Sequence, residues 1–211
     1  MTVIACATCS HDYVQDMFLR CPECNVPSTP LLREHILANL YYGIGRQNTN
    51  FALQHSRREG EEVIWTKRKT FLELDPVQDK WFIAHANHRQ ILKNEIIFDF
   101  DRIIPRNNAL EDYDVQTLIK TLTEADWPFC VYHTGSKGIH VHIYLTALIS
   151  LSIAEREEYR KVILKHPRIA WFAGVDLQKA SDKTMIALEH VPHWRTGVTK
   201  ELLHKYGEGV W

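Results

Sequence analysis

Short apolar runs of period two alternate along this chain with longer segments of helical period, the order expected of a mixed α/β domain. The clearest strand signal is Glu95-Ile96-Ile97-Phe98-Asp99-Phe100-Asp101, a β-branched and aromatic run that ends in two aspartates one residue apart. Residues 129–133 and 139–145 read as two more strands, joined by a tight turn at Thr134-Gly135-Ser136-Lys137-Gly138. In the second of them Ile139, Val141 and Ile143 alternate with His140 and His142, so the two sets face opposite ways. Residues 63–71, 80–84 and 183–188 are further strand candidates, with a turn at Asp75-Pro76. An apolar stretch over 171–177 ends in Gly174-Val175-Asp176-Leu177.

Helices are predicted where the period lengthens. Thr29-Pro30 is a cap followed by a first-turn proline, and Leu32, Ile36, Leu37 and Leu40 follow it at helical spacing. Asp114 caps a second helix with a stripe of Val115, Leu118, Ile119, Leu122 and Ala125, ended by Pro128. Ser152 and Glu155 form a capping box for a third, whose apolar face is read as Tyr159, Val162 and Ile163. Residues 199–206 read as a C-terminal helix, and 44–62 and 103–111 as loops.

The 211 residues suffice for one sizeable domain with a small appendage. A formal net charge of -1 gives no global basic signal, so any nucleic-acid contact must come from local patches such as Trp65-Thr66-Lys67-Arg68-Lys69. No apolar run is long enough to span a bilayer and no signal peptide is evident, which points to a cytoplasmic protein without a membrane partner. Four of the five cysteines lie in the first 24 residues; the fifth, Cys130, sits in an apolar strand and reads as a buried thiol.

Cys6-Ala7-Thr8-Cys9 and Cys21-Pro22-Glu23-Cys24 are two CxxC units separated by eleven residues. Two tight turns that each offer two thiolates match the tetrahedral preference of zinc. Residues 1–28 are therefore expected to form a zinc-ribbon-like segment, with Cys6, Cys9, Cys21 and Cys24 on a structural Zn²⁺, and residues 29–211 a separate domain.

The remaining chemistry gathers on the strands. Asp99 and Asp101 share one strand face about 7 Å apart, a spacing from which carboxylates converge on hard cations. Gly135 and Gly138 permit a turn whose N–H groups face an anion, Ser136 and Lys137 add a hydroxyl and a cation, and His140 follows on the strand. Two carboxylates beside a polyphosphate turn describe nucleotidyl transfer assisted by Mg²⁺ or Mn²⁺. Asp176 is the best-placed third carboxylate, Asp182 the second choice, and Asp75 a structural turn residue.

These residues resemble the archaeo-eukaryotic primase superfamily of primase small subunits and primase-polymerases. The strand with Asp-x-Asp is matched by Phe98-Asp99-Phe100-Asp101, the Ser-Gly-basic-Gly-x-His hairpin by Thr134 to His140, and the apolar-apolar-Asp strand end by Gly174-Val175-Asp176. A later His-x-basic-Thr-Gly element is matched by His193-Trp194-Arg195-Thr196-Gly197. The resemblance covers roughly residues 60–200. It implies a mixed or antiparallel sheet with flanking helices (an RRM-like palm), with catalytic Mg²⁺ or Mn²⁺ on Asp99, Asp101 and Asp176. It also implies a nucleotide site at Ser136, Lys137, Gly138 and His140, joined by His193 and Arg195. The implied reaction is primer synthesis on a single-stranded DNA template from NTP or dNTP, with release of pyrophosphate. A helicase or a primase large subunit would be the partner, and the location nucleoid-associated. Two departures point to a plasmid- or virus-type enzyme: residues 185–190 lack the family's arginine, a role that His190 could share, and the cysteines precede the catalytic region.

Two other readings stay open on the residues alone. His140-Val141-His142 fits the His-hydrophobe-His strand of rolling-circle and relaxase endonucleases, with Tyr159 as the nucleophile. The ribbon could also be a nucleic-acid-binding module on a non-catalytic primase-like scaffold.

Overall fold

The computed structural model describes residues 3–5, 12–14, 51–75, 77–167 and 176–207. The four ribbon cysteines, the helix expected after Thr29, and Gly174 and Val175 lie outside the described residues. Near the start, β1 (Val3–Ala5) pairs antiparallel with β2 (Asp12–Val14). Then come β3 (Ala52–Gln54), β4 (Ser56–Glu59), β5 (Glu62–Trp65), β6 (Lys69–Thr70), α1 (Lys80–His85), β7 (His88–Gln90) and β8 (Glu95–Phe100). The second half holds α2 (Tyr113–Glu124), β9 (Phe129–His133), β10 (Ile139–Tyr144), α3 (Ile153–Leu164), β11 (Met185–Ala187) and β12 (Glu201–Tyr206). Among the described residues no helix is long and apolar enough to cross a membrane.

Two four-stranded antiparallel sheets organise the domain, one in the order β12-β9-β10-β8 and the other β11-β7-β3-β6. The α+β class with an antiparallel sheet and flanking helices is the expected one. Strict alternation divides the first sheet into two faces. Ile96, Phe98, Phe100, Val131, Ile139, Val141 and Ile143 enter one apolar core with Val115, Leu118 and Leu122 of α2 and Ile163 and Leu164 of α3. Each such fully buried side chain contributes about 1.5–3 kcal/mol. The opposite face carries Cys130, Tyr132 and Tyr144 into a second core with Phe51, Leu53, Phe82, Leu188 and Val191. Cys130 is a buried thiol, as its setting implies.

Several elements differ from the pattern reading. Residues 80–84 lie within the short helix α1, because a run as brief as Trp81-Phe82-Ile83 carries too little periodicity to separate helix from strand. The expected C-terminal helix is strand β12; its adjacent leucines serve both cores, Leu202 one and Leu203 the other, an alternation that only a strand provides. Part of the stretch read as loop forms β3 and the β4–β5 hairpin. The cap of α2 is Asp112, whose carboxylate accepts from the N–H groups of Asp114 (3.1 Å) and Val115 (3.3 Å).

The capping box of α3 forms as expected, but of its expected apolar face only Ile163 is buried. Tyr159 and Val162 are exposed, while Arg156 and Arg160 are buried. Arg160 donates to the carbonyls of Glu95 (2.8 Å) and Leu92 (2.8 Å), and both arginines pair with Asp182. Asp182 is thereby a structural counter-ion, and Tyr159 lies on solvent rather than in the core.

Deeper still, Arg89, Glu95, His142, Glu189 and Lys200 form a fully buried cluster between the sheets. Arg89 makes paired bonds to Glu95 (2.7 and 2.7 Å) and to Glu189 (2.8 and 2.9 Å). Lys200 Nζ donates to Glu189 (2.8 Å) and to the carbonyl of Ala187 (2.9 Å). His142 Nδ1 lies 2.7 Å from Glu95 Oε1, and its Nε2 lies 3.2 Å from Lys200 Nζ. This pattern fixes the Nδ1–H tautomer, leaving Nε2 to accept from the ammonium. Burial and the neighbouring Lys200 lower His142 to a pKa of about 3.

His88 is likewise lowered to about 3, by burial first and then by the cationic groups around it. An unfolded histidine titrates near 6.5, so between about pH 6.5 and 3 the unfolded chain binds more protons than the folded one. The stability held by these two rings is complete above that window and is lost as pH falls, at about 1.4 kcal/mol per pH unit for each ring. The thermal unfolding midpoint is expected to drop already between pH 7 and 5; a midpoint flat over that range would contradict the burial of neutral His88 and His142.

Candidate functional site

At one end of the first sheet the β8–β10 register sets His140 opposite Asp99. His140 Nε2 lies 3.4 Å from Asp99 Oδ1, and Lys179 Nζ lies 3.0 Å from Asp99 Oδ2. Burial alone would raise the Asp99 carboxyl, but His140 and Lys179 outweigh it and hold the pKa well below the usual range. Asp99 is therefore ionised at neutral pH. His140 is itself lowered, chiefly by burial, and its Nδ1 is buried with no hydrogen-bond partner among the described residues.

The expectation that Asp99 and Asp101 converge on one point holds only in part. β8 ends at Phe100, where Arg102 N donates to the Phe100 carbonyl (2.8 Å) and turns the chain. Asp101 consequently points outward and pairs with Lys137 at 3.0 Å. Asp176 meets Asp99 through a shared cation, since Lys179 Nζ is also 3.7 Å from Asp176 Oδ2. Asp176 in addition caps the 3₁₀ turn Leu177–Ala180 by accepting from Gln178 N (2.9 Å).

The Thr134–Gly138 turn closes against this strand end. Thr134 N donates to the Gly138 carbonyl (3.0 Å), and the Thr134 hydroxyl accepts from the N–H groups of Ser136 and Gly138 (both 3.3 Å). Those two N–H groups thus point at the threonine rather than outward, which leaves the Ser136 hydroxyl and the Lys137 ammonium as the turn's contribution to an anion. The His193–Gly197 turn seats on it: Thr196 Oγ1 donates to the Gly135 carbonyl, and Gly197 N to the His193 carbonyl (2.8 Å). Arg195 stacks on Trp194 with its guanidinium 4.9 Å from the ring centre.

These turns and strands enclose a cleft of about 400 Å³. Its walls include Asp99, Asp101, Ser136, Lys137, Gly138, His140, His193 and Arg195, residues drawn from segments nearly a hundred positions apart. Asp176 stands behind Lys179 rather than on the wall. Three cationic side chains (Lys137, Lys179, Arg195) line the cleft, the first two in contact with Asp101 and Asp99, and Trp65, Met185, Ile186 and Trp194 add apolar and aromatic surface. A cleft lined by both charged and aromatic side chains suits a ligand with an anionic end and a flat ring.

Among the described residues no three His, Cys, Asp or Glu side chains stand close enough together to hold a metal ion. The donor chemistry nevertheless suits a hard divalent cation: two carboxylates already converge on one positive charge, the ammonium of Lys179. The His-hydrophobe-His metal site does not form. Both ring nitrogens of His142 are committed, to Glu95 and to Lys200, so it cannot join His140 on a metal. His190 is absent from the cleft wall, and the missing arginine is not replaced there. Arg89 stands on the strand beside β11, but two glutamates hold it in the interior.

The pattern reading passed over Lys179, Trp65 and His88 as cleft residues and the whole Arg89–Glu189 cluster. Lys179 had a signal, its i,i+3 spacing from Asp176. The cluster had none, because its members are far apart in sequence and charged.

No protein-family profile matches the chain, and no curated protein matches it. Among solved structures the chain is similar to the polymerase domain from Mycobacterium tuberculosis Ligase D in complex with DNA, with a TM-score of 0.53 at 12% identity, over 82% of this chain and 80% of that one. At this identity the likeness is one of fold alone, shared with that polymerase domain.

The approach of the turn to β8 has a direct test. A Cβ on Gly138 would stand 2.2 Å from the Phe100 carbonyl oxygen, a backbone atom that cannot yield without moving the strand end that carries Asp99. Gly138→Ala is expected to cost about 1–3 kcal/mol by overpacking and to open the Asp99–His140 contact. Equilibrium denaturation that matches the wild type would show that the turn does not pack as described.

Proposed function

We propose that the chain is a metal-dependent nucleotidyltransferase of the primase-polymerase kind, which joins nucleotides on a single-stranded DNA template and releases pyrophosphate. The observation that carries this reading is the cleft itself. Ionised Asp99, the Ser136–Lys137–Gly138 turn, His140, His193 and Arg195 line one space together with Trp65 and Trp194. The likeness in fold to a polymerase domain supports it independently.

In this reading Lys137 and Arg195 bind the phosphates of the incoming nucleotide, with Ser136 as a neutral donor. His140, uncharged by burial, supplies a hydrogen bond where a second full charge would oppose the metal. Asp99, Asp101 and Asp176 would hold Mg²⁺ or Mn²⁺, with Asp101 released from its exposed pair with Lys137. The metal would supply charge neutralisation of the triphosphate and of the attacking 3′-hydroxyl. The arrangement of Arg195 on Trp194 fixes the guanidinium at the cleft rim. Residues 1–28 complete the proposed protein as a zinc ribbon on Cys6, Cys9, Cys21 and Cys24, ahead of a catalytic domain over 29–211. A helicase or a primase large subunit is the kind of partner proposed, and the nucleoid the place of work.

The experiment is primer-independent synthesis on single-stranded DNA with labelled NTP or dNTP and Mg²⁺ or Mn²⁺. Products are expected with the wild type and none with Asp99→Ala, while Arg195→Ala should raise the nucleotide KM by about tenfold, the loss of one charge-assisted contact. Products that persist in Asp99→Ala, or none under any combination of nucleotide and metal, would overturn the reading.

A further inference from the structure

Lys179 belongs to none of the matched sequence motifs, yet its ammonium stands where two proposed metal ligands converge. Nζ is 3.0 Å from Asp99 Oδ2 and 3.7 Å from Asp176 Oδ2, and the side chain is only 15 % exposed. The backbone beneath it is fixed. Asp176 caps the Leu177–Ala180 turn, Ala180 is fully buried, Arg160 donates to the Ala180 carbonyl (3.3 Å), and Thr184 Oγ1 donates to the Gln178 carbonyl (2.6 Å). The long side chain, in contrast, can move about its four methylene groups into the cleft that it already lines.

A buried carboxylate without a counter-charge is costly. In the absence of a metal, Lys179 is the nearer of the two side chains that meet Asp99 among the described residues, at 3.0 Å against 3.4 Å for His140, and it alone also reaches Asp176. A divalent ion binds carboxylate oxygen at about 2.0–2.6 Å, and it cannot share the Asp99–Asp176 gap with an ammonium already in contact with both. We infer that Lys179 is an exchangeable internal cation: it closes the Asp99–Asp176 pair when no metal is bound and is displaced when Mg²⁺ or Mn²⁺ enters. Lys179 is thus a positioning residue that sets metal affinity. This inference rests on the proposal that Asp99 and Asp176 are metal ligands.

The test is Mn²⁺ binding to the full chain without nucleotide, read from the electron paramagnetic resonance signal of free Mn²⁺, with wild type, Lys179→Met, Lys179→Arg and Asp99→Asn. Removal of the competing charge should tighten Mn²⁺ binding roughly tenfold in Lys179→Met, within the range for coupled sites. Lys179→Arg keeps a cation and should stay close to the wild type. The same ordering is expected in thermal unfolding, with Mn²⁺ raising the midpoint more in Lys179→Met than in the wild type. A permanent structural tie would give the opposite result, binding that is equal or weaker in Lys179→Met, and that overturns the inference while leaving the metal site intact. Failure of all chains to bind Mn²⁺, or undiminished binding in Asp99→Asn, would instead refute the metal ligands themselves and the inference with them.

Discussion

Two glutamates, a guanidinium and an ammonium share the interior between the two sheets, and a neutral histidine joins them. Their formal charges cancel. Ions removed from water repay that cost only through close, multiply bonded geometry, and removal of one partner from such a cluster costs about 3–5 kcal/mol because the others are left exposed to the low dielectric. The cluster holds together elements that would otherwise be independent. Glu95 begins the strand that carries Asp99, His142 lies two residues beyond His140, and Glu189 and Lys200 bracket the segment that carries His193 and Arg195. The working face of the molecule is positioned from behind by this ionic brace, and from above by the close seating of the His193–Gly197 turn on the Thr134–Gly138 turn.

That division of labour explains the contrast between the two histidines of β10. They project to the same side of the strand, with ring centres 5.7 Å apart, yet only His140 lines the cleft. His142 is spent on the brace, and both are kept neutral by burial. A strand that looks like a paired metal site in sequence becomes one residue of the site followed by one structural residue. The same reasoning separates the aspartates. Asp99 is buried and paired within the cleft, Asp101 is released to the rim by the end of the strand, and Asp182 is consumed by Arg156 and Arg160.

How much of this was legible in the sequence follows from the range of the forces involved. The alternation of Ile139, Val141 and Ile143 with His140 and His142 is a local, period-two signal, and it gave the right faces of β10. Ser152 with Glu155 is equally local, and its capping box forms. The misread elements are those whose state is decided by distant partners. β12 is a strand because β9 offers it an edge, and α3 turns its arginines inward because Asp182 and the carbonyls of Leu92 and Glu95 receive them. At the site, the order of the motifs indicated which residues to gather: Asp99, Asp101, Ser136, Lys137, Gly138, His140, His193 and Arg195 line one cleft, and Asp176 stands behind it. The pairing of Lys179 with Asp99 and of Lys137 with Asp101, which decides where each of those carboxylates points, follows from three-dimensional packing.

The central claim is that this cleft holds the polyphosphate of a nucleotide beside a divalent ion. Its most direct measurement is equilibrium binding of a labelled nucleoside triphosphate to the intact chain in Mn²⁺, without template, with pyrophosphate as the competitor. The account predicts saturable, metal-dependent binding that pyrophosphate displaces and that a double substitution of Lys137→Ala and Arg195→Ala abolishes. Binding indifferent to metal and pyrophosphate, or unchanged in the double variant, would contradict it.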